Sequence, residues 1–462
     1  MVIDVDVATH ALPHPSRRLP FLGDVLGVHA STPVQDSIAL AEKLGPIFER
    51  VVMGRQYVMV SGADLAGELC DEHRFVKHIS PAIVGLRSIG GDALFTAHSD
   101  EPNWQKAHDL LRPAFTQPAM RSYHHIMVDV AADLTAHWRS HTKVDVSADM
   151  TKLTLDTIGR TGFSYGFDSF NRDKPHPFVD AMVGVLSHNQ RREIVPIPWL
   201  ADIVFRTADR RNERDKHYIA TLLDDIVRTR RDAGTSGRGD LLDIMLDAAR
   251  DADNPNALSE INIRQQIVTF LIAGHETTSG ALSFALHYLS QHPEILEAAR
   301  AEVDAVWGSQ TPEFEQVPKL RLVRRILDES LRLWPTAPAF AREAREDTSI
   351  GGIHSMKKGD WAFVLIPGLH RDPVWGENPD AFDPDRFLSA NVRSRPGHVY
   401  KPWGTGERAC IGRQFAIHEA VLVLGTILQQ FDIRADPDYH LKIEERLTLM
   451  PKNFELTVSV RK

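Results

Sequence analysis

Two periods of apolar and polar positions run along this chain, and the helical one dominates. Apolar residues recurring every three to four positions predict helices over 34–45, 62–72, most of 109–141, 147–165, 176–190, 199–232 and 258–291. Period-two alternation predicts a hairpin of strands 48–52 and 57–60 around Met53-Gly54-Arg55-Gln56. It also predicts a β region over 339–367 and another over 439–460. Residues 13–33, rich in Pro and Gly, read as irregular chain laid over the body. The turn-rich stretches 232–239 and 251–256 have helical periodicity on both sides, so they read as surface loops and not as domain boundaries. The expected fold is mainly α with small β regions, in one domain spanning 1–462.

The longest helical pattern changes character abruptly. Ile267-Val268-Thr269-Phe270-Leu271-Ile272-Ala273-Gly274 is apolar all round, as a helix crossing the middle of a large protein must be. His275-Glu276-Thr277-Thr278-Ser279 follows at once. A buried carboxyl beside two hydroxyls is costly unless it is satisfied, so Glu276 and Thr277 are candidates for chemistry. The alternative is that the threonine bonds its own helix carbonyl. A zinc-protease pattern, His-Glu-x-x-His, is not completed, because position 279 is Ser.

A second candidate is Lys401-Pro402-Trp403-Gly404-Thr405-Gly406-Glu407-Arg408-Ala409-Cys410-Ile411-Gly412. Its Pro and Gly residues break regular structure, and a helical period begins at Arg413. Cys410 thus stands near a helix N-terminus, which favours thiolate over thiol. Such a thiolate is a nucleophile or a soft metal ligand; the alternative is an inert buried cysteine. Two lesser signals are Trp104 with His108, at i, i+4 on one helix face, and Glu329 with Arg332, at i, i+3 just before Pro335. Alone, the first reads equally well as a core pair and the second as surface decoration.

Composition narrows the picture. The 462 residues are 43% hydrophobic, no run of apolar residues is long enough to span a bilayer, and the net charge of −9 disfavours nucleic acid. Met1-Val2-Ile3-Asp4-Val5-Asp6 has neither the basic nor the apolar region of a secretion signal. With only two cysteines, no structural disulfide is expected, Cys70 reads as a core residue, and the cytoplasm is the expected compartment.

Taken together, Trp403, Gly404, Gly406, Arg408, Cys410 and Gly412 resemble the haem-binding signature of the cytochrome P450 family. Ala273-Gly274-x-Glu276-Thr277-Thr278 and Glu329-x-x-Arg332 resemble two further signatures of that family. The likeness is greatest to the haem domains of bacterial self-sufficient, reductase-fused fatty-acid hydroxylases, over nearly the whole chain. It implies a haem b (iron protoporphyrin IX) between a long central helix and the Cys-bearing loop, with Cys410 as axial iron ligand. Arg408, Trp104, His108 and Lys77 would hold its propionates. Trp403 would pack near the thiolate, where the relatives usually have Phe. Ala273 and Gly274 would lie beside the haem, Gly274 leaving room for oxygen, and Glu276 and Thr277 would relay protons. Glu329, Arg332 and Arg386 would form a structural network under the loop.

The same likeness implies substrate contacts from Phe95, which would narrow the pocket, and from Arg55, which would hold a fatty-acid carboxylate. The register of a partnering Tyr falls on Met59, with Tyr57 nearby. The implied activity is hydroxylation of unactivated C–H bonds, at subterminal positions of medium- to long-chain fatty acids, using O2. No flavin- or NADPH-binding fingerprint appears, so the two electrons are expected from an NADPH-dependent diflavin reductase (FMN and FAD), fused or separate. Two other readings remain at this level. One is a peroxide-driven haem peroxygenase, against which the Glu276-Thr277 pair argues; the other is a haem-thiolate sensor or carrier without turnover.

Overall fold

The computed structural model describes the chain from residue 11 onward, except residues 28, 30, 173, 193–197, 235, 236, 238 and 353. The start of the chain, read above as lacking a secretion signal, and part of the 232–239 loop therefore lie outside the described residues. Chain contacts gather into two compact units, one of residues 11–80 with 332–410 and one of residues 81–331 with 411–462.

The first unit is built on a five-stranded sheet with the spatial order Ile47–Val52, Arg55–Val60, Trp361–Leu365, Ala339–Ala344 and Phe75–His78. The expected hairpin forms with a two-residue turn: Met53 and Gly54 have φ of 53° and 79°, as a type I′ turn needs, and Val52 pairs with Arg55. Strand Arg55–Val60 then runs parallel to Trp361–Leu365, pairing Val58 with Ala362 and Val60 with Val364. Those four side chains are buried, and a core of Ile47, Leu69, Phe75, Leu369 and Trp375 packs with them. Strand Phe75–His78 escaped the sequence reading, because Phe75-Val76-Lys77-His78 lacks a clean alternation; its partner Ala339–Ala344 supplies the order. Cys70 caps the helix Ala63–Leu69 and is half-buried, less enclosed than expected of a core residue.

The second unit is helical around one element, the 32-residue helix Glu260–Gln291, here the central helix. Ser259 caps it by accepting from the Asn262 amide at 3.2 Å. Its main partner is the helix Val146–Phe163, which Asp145 caps. The two approach closely because position 274 is glycine: a Cβ there would stand 2.8 Å from Cγ1 of Ile158. Ile158 thus packs where a side chain at position 274 would stand. Thr154 reaches across to the His275 carbonyl at 3.0 Å. The helical stretches expected at 176–190 and 199–232 appear as Pro177–Arg192, Pro198–Val204 and Arg206–Asp232. The C-terminal β region is a three-stranded sheet, Lys143–Asp145, Glu455–Val460 and Phe431–Ala435, and a short hairpin of Ile443–Glu445 with Leu449–Pro451.

Overpacking a filled helix–helix contact costs about 1–3 kcal/mol. Gly274→Ala should therefore lower unfolding free energy by roughly that amount. Ile158→Ala in the same chain should recover part of the loss, as a denaturant double-mutant cycle would report.

Candidate haem site

The loop 401–410 belongs to the first unit and is tied internally by backbone bonds. Gly404 donates to Lys401, Ala409 to Gly406, and Cys410 to the Trp403 carbonyl at 2.9 Å. Gly404 and Gly406 have φ of 74° and 64°, a region that disfavours any other residue. Cys410 is in no disulfide and its side chain is exposed, three residues before the helix Arg413–Gln430. Trp403 is half-buried, and its indole N–H is enclosed with no hydrogen-bond partner among the described residues.

What supports this loop is a buried arginine and a histidine. Arg332 is wholly buried; it donates to the carbonyls of His370 at 2.7 Å, Pro379 at 2.6 Å and Ala381 at 3.1 Å, and lies over the Trp375 ring. Arg386 secures the same meander through the carbonyls of Trp375 and Asn378. His370 joins the two levels. Its Nδ1–H donates to the Arg332 carbonyl at 3.0 Å, and its Nε2 accepts the Lys401 amide at 3.0 Å, so one neutral tautomer serves both bonds. Glu329, on the same helix as Arg332, is also fully buried. No local pattern around Leu369-His370-Arg371 marks His370 for this task, and the sequence reading missed it.

Beside the loop, Lys77 and Arg408 stand close enough to repel. Burial, and then the Arg408 charge, push the Lys77 ammonium down to about 7. A cation pair of this kind is suited to an anionic ligand such as a propionate.

In the second unit the central helix shows why Thr277 was singled out. Its middle is buried almost throughout, yet Ala273 is exposed and Gly274 and Thr277 are half-buried, giving one accessible patch at i, i+1 and i+4. The Thr277 hydroxyl donates to the Ala273 carbonyl at 2.8 Å. Glu276 leaves the helix about 100° away. It is 3% exposed, accepts from the Thr448 hydroxyl at 3.3 Å and lies 4.0 Å from the Arg446 guanidinium. Its other oxygen has no hydrogen-bond partner among the described residues. Burial raises its pKa, with Arg446 and Thr448 opposing. The partners come from the connection between the two short C-terminal strands, some 170 residues away in sequence, so no spacing rule could have named them. A cleft of about 760 Å³ reaches Arg446 from the side of Lys152, His176 and His188.

Trp104 and His108 do share a face of the helix Pro102–Leu111, with rings stacked at 5.0 Å. Phe95 lies half-buried in a loop latched to the central helix: Asp92 accepts from Asn262 at 2.8 Å and the Leu94 amide donates to Gln266 at 3.2 Å. In the first unit, Arg55, Tyr57 and Met59 fall in regular strand and hence on one face of the sheet. Tyr57 meets Trp361 edge-on at 5.8 Å and stacks on Phe363 at 6.5 Å. Trp361 and Phe363, not singled out from the sequence, alternate with buried Ala362 and Val364 and so lie on the opposite face of their strand.

An accessible thiol in a glycine-built loop with adjacent cations suits a haem held by thiolate. A cytochrome P450 family model matches residues 13–458. The chain is 45% identical over 457 residues to a bifunctional cytochrome P450/NADPH–P450 reductase of Bacillus cereus, an alignment covering 98% of this chain and 42% of that protein. A second such protein, from Bacillus subtilis, is 45% identical over 429 residues, 92% of this chain and 40% of its own length. A self-sufficient cytochrome P450 monooxygenase of Phanerodontia chrysosporium is 39% identical over 452 residues, 96% of this chain and 42% of its own. The chain thus spans about two fifths of the length of these relatives. It belongs to the cytochrome P450 family, and haem is its cofactor.

One buried group here titrates unusually. Glu419, in the helix that follows Cys410, has no hydrogen-bond partner for either oxygen among the described residues. Thr157 lies alongside, but its hydroxyl donates to the Leu153 carbonyl at 3.0 Å. Burial pushes the Glu419 carboxyl up to about 8. The folded chain therefore keeps a proton that the unfolded chain releases near 4.5, so this group erodes stability as pH rises between those values and no further beyond. Glu419→Gln should flatten that decline, with denaturant midpoints matching the parent near pH 4 and exceeding it increasingly toward pH 8.

Proposed function

We propose that this chain is the haem domain of a monooxygenase that hydroxylates unactivated C–H bonds, at subterminal positions of medium- to long-chain fatty acids. Electrons would come from an NADPH-dependent diflavin reductase carrying FMN and FAD, joined to the chain or separate, as the names of the bacterial relatives suggest. The observation that carries the substrate class is the sheet face of Tyr57, Met59, Trp361 and Phe363 with Arg55 exposed at one end. An apolar, partly accessible strip ending in a cation is complementary to an acyl chain ending in a carboxylate.

Cys410 would supply the thiolate that holds the haem iron. Lys77 and Arg408 would offer donors for the propionates, and the same role is proposed for Trp104 and His108. Bound haem supplies the activation of dioxygen and its insertion into the C–H bond. The chain's own part is to place the substrate and to move protons. Phe95, fixed by the Asp92 and Gln266 contacts, limits which carbon is presented. Glu276, whose pKa burial raises, would hold its proton to a higher pH than an ordinary carboxyl. Arg446, 4.0 Å from that carboxyl, lines a cleft from which water would replace the proton. The Thr277 hydroxyl, its own proton given to Ala273, presents lone pairs on the accessible patch and can accept from a donor there.

Titrating the ferric protein with C12 to C18 fatty acids should convert low-spin to high-spin haem, and Arg55→Ala should weaken the apparent affinity about tenfold, as expected for loss of one charge-assisted contact. Equal affinity in both would discard Arg55; no shift at all would remove the fatty-acid class. Thr277→Ala should lower product formed per NADPH consumed while leaving the spin shift intact, and unchanged coupling would remove its proton role.

A further inference from the structure

We propose that Glu72 is a positioning residue for the loop that carries Cys410, and that its charge holds the haem reduction potential low. This rests on the assignment of Cys410 as thiolate ligand and does not depend on the fatty-acid reading. Glu72 follows the helix Ala63–Leu69, in a segment fixed from the neighbouring strand. Arg342, 2% exposed, donates to the carbonyls of Leu69 and Phe75, each at 2.9 Å, and its guanidinium lies 4.0 Å from the Glu72 carboxylate. Arg345 donates to the Glu72 carbonyl at 2.9 Å. The acid is thus presented by a braced piece of chain.

Its Oε1 accepts the Glu407 amide at 3.1 Å, at the start of the short helical turn Gly406–Arg408. The fit is closer than one hydrogen bond requires. A Cβ on Gly406 would stand 1.6 Å from Oε1 and 2.6 Å from Oε2 of Glu72. The carboxylate occupies the notch that the missing side chain leaves. An ordinary exposed ion pair needs no such notch and holds nothing in place. Here the second glycine of the loop does two things: it adopts φ of 64°, and it admits an anion from another segment. The turn so fixed carries Arg408, and the amide of Cys410 is bonded within the same loop to Trp403. A negative charge set into this turn opposes addition of an electron to a nearby thiolate-ligated centre, through solvent and surroundings that damp the effect because Glu72 is partly exposed.

The test uses the haem-loaded chain and three variants, Glu72→Gln, Glu72→Ala and Gly406→Ala, the last also combined with Glu72→Ala. Glu72→Gln keeps an oxygen acceptor and removes the charge. It should retain the thiolate form of the reduced carbon monoxide spectrum while favouring one-electron reduction about threefold, an upward shift of about 28 mV at 59 mV per tenfold. A potential equal to that of the parent overturns the electrostatic role, even if Glu72→Ala loses haem. Gly406→Ala should speed loss of the thiolate form severalfold in the parent and less in the Glu72→Ala background, where the notch is empty. Equal effects in both backgrounds overturn the positioning contact. If the unaltered chain itself lacks the thiolate spectrum, the Cys410 assignment has failed instead.

Discussion

A guanidinium with no exposure to water must be satisfied by the protein or it destabilises the fold, and Arg332 is such a group. Its partners are backbone carbonyls of His370, Pro379 and Ala381, backed by the Trp375 ring. Carbonyls cannot retreat as side chains can, so the charge fixes the path of an irregular stretch that has few ladder bonds of its own. His370 then passes that order forward by accepting the Lys401 amide at the first residue of the cysteine loop. A loop rich in glycine, and therefore entropically costly to order, is held at its root by a chain of bonds that starts from one buried cation.

Two buried carboxyls in the second unit show how context assigns opposite meanings to the same group. Glu276 and Glu419 are both raised by burial. Glu276 accepts from a hydroxyl and lies near a guanidinium that itself lines a cleft. Among the described residues neither oxygen of Glu419 has a hydrogen-bond partner, and the Thr157 hydroxyl alongside donates to Leu153. A raised pKa by itself therefore does not mark a functional acid; the polar groups around it must be read with it.

Much of this was legible before any coordinates. The central helix, the hairpin and the cysteine loop follow from periodicity and turn chemistry, since each is decided by neighbours in sequence. The pairing of Trp104 with His108 follows from helical spacing alone. What stayed hidden was set by contacts between distant segments: Glu72 at Gly406, Thr448 at Glu276, His370 at Lys401. Strand Phe75–His78 was likewise invisible, because its partner lies more than 250 residues later. The packing at two glycines was hidden in the same way. Gly274 has Ile158 where a side chain would stand, and Gly406 has the Glu72 carboxylate, contacts that no local pattern announces.

The two-residue turn Met53-Gly54 has a reach beyond its size. Side chains on a strand alternate between faces, so a single residue inserted into or deleted from that turn would shift the pairing of Ile47–Val52 with Arg55–Val60 by one step. Keeping the ladder would then turn Val58 and Val60 outward and drive Arg55 and Tyr57 into the core beneath. The position of the charged end of the apolar strip is thus inherited as a length and not as an identity. Among descendants of this sequence, that turn should tolerate exchange of its residues far more readily than any odd change in their number.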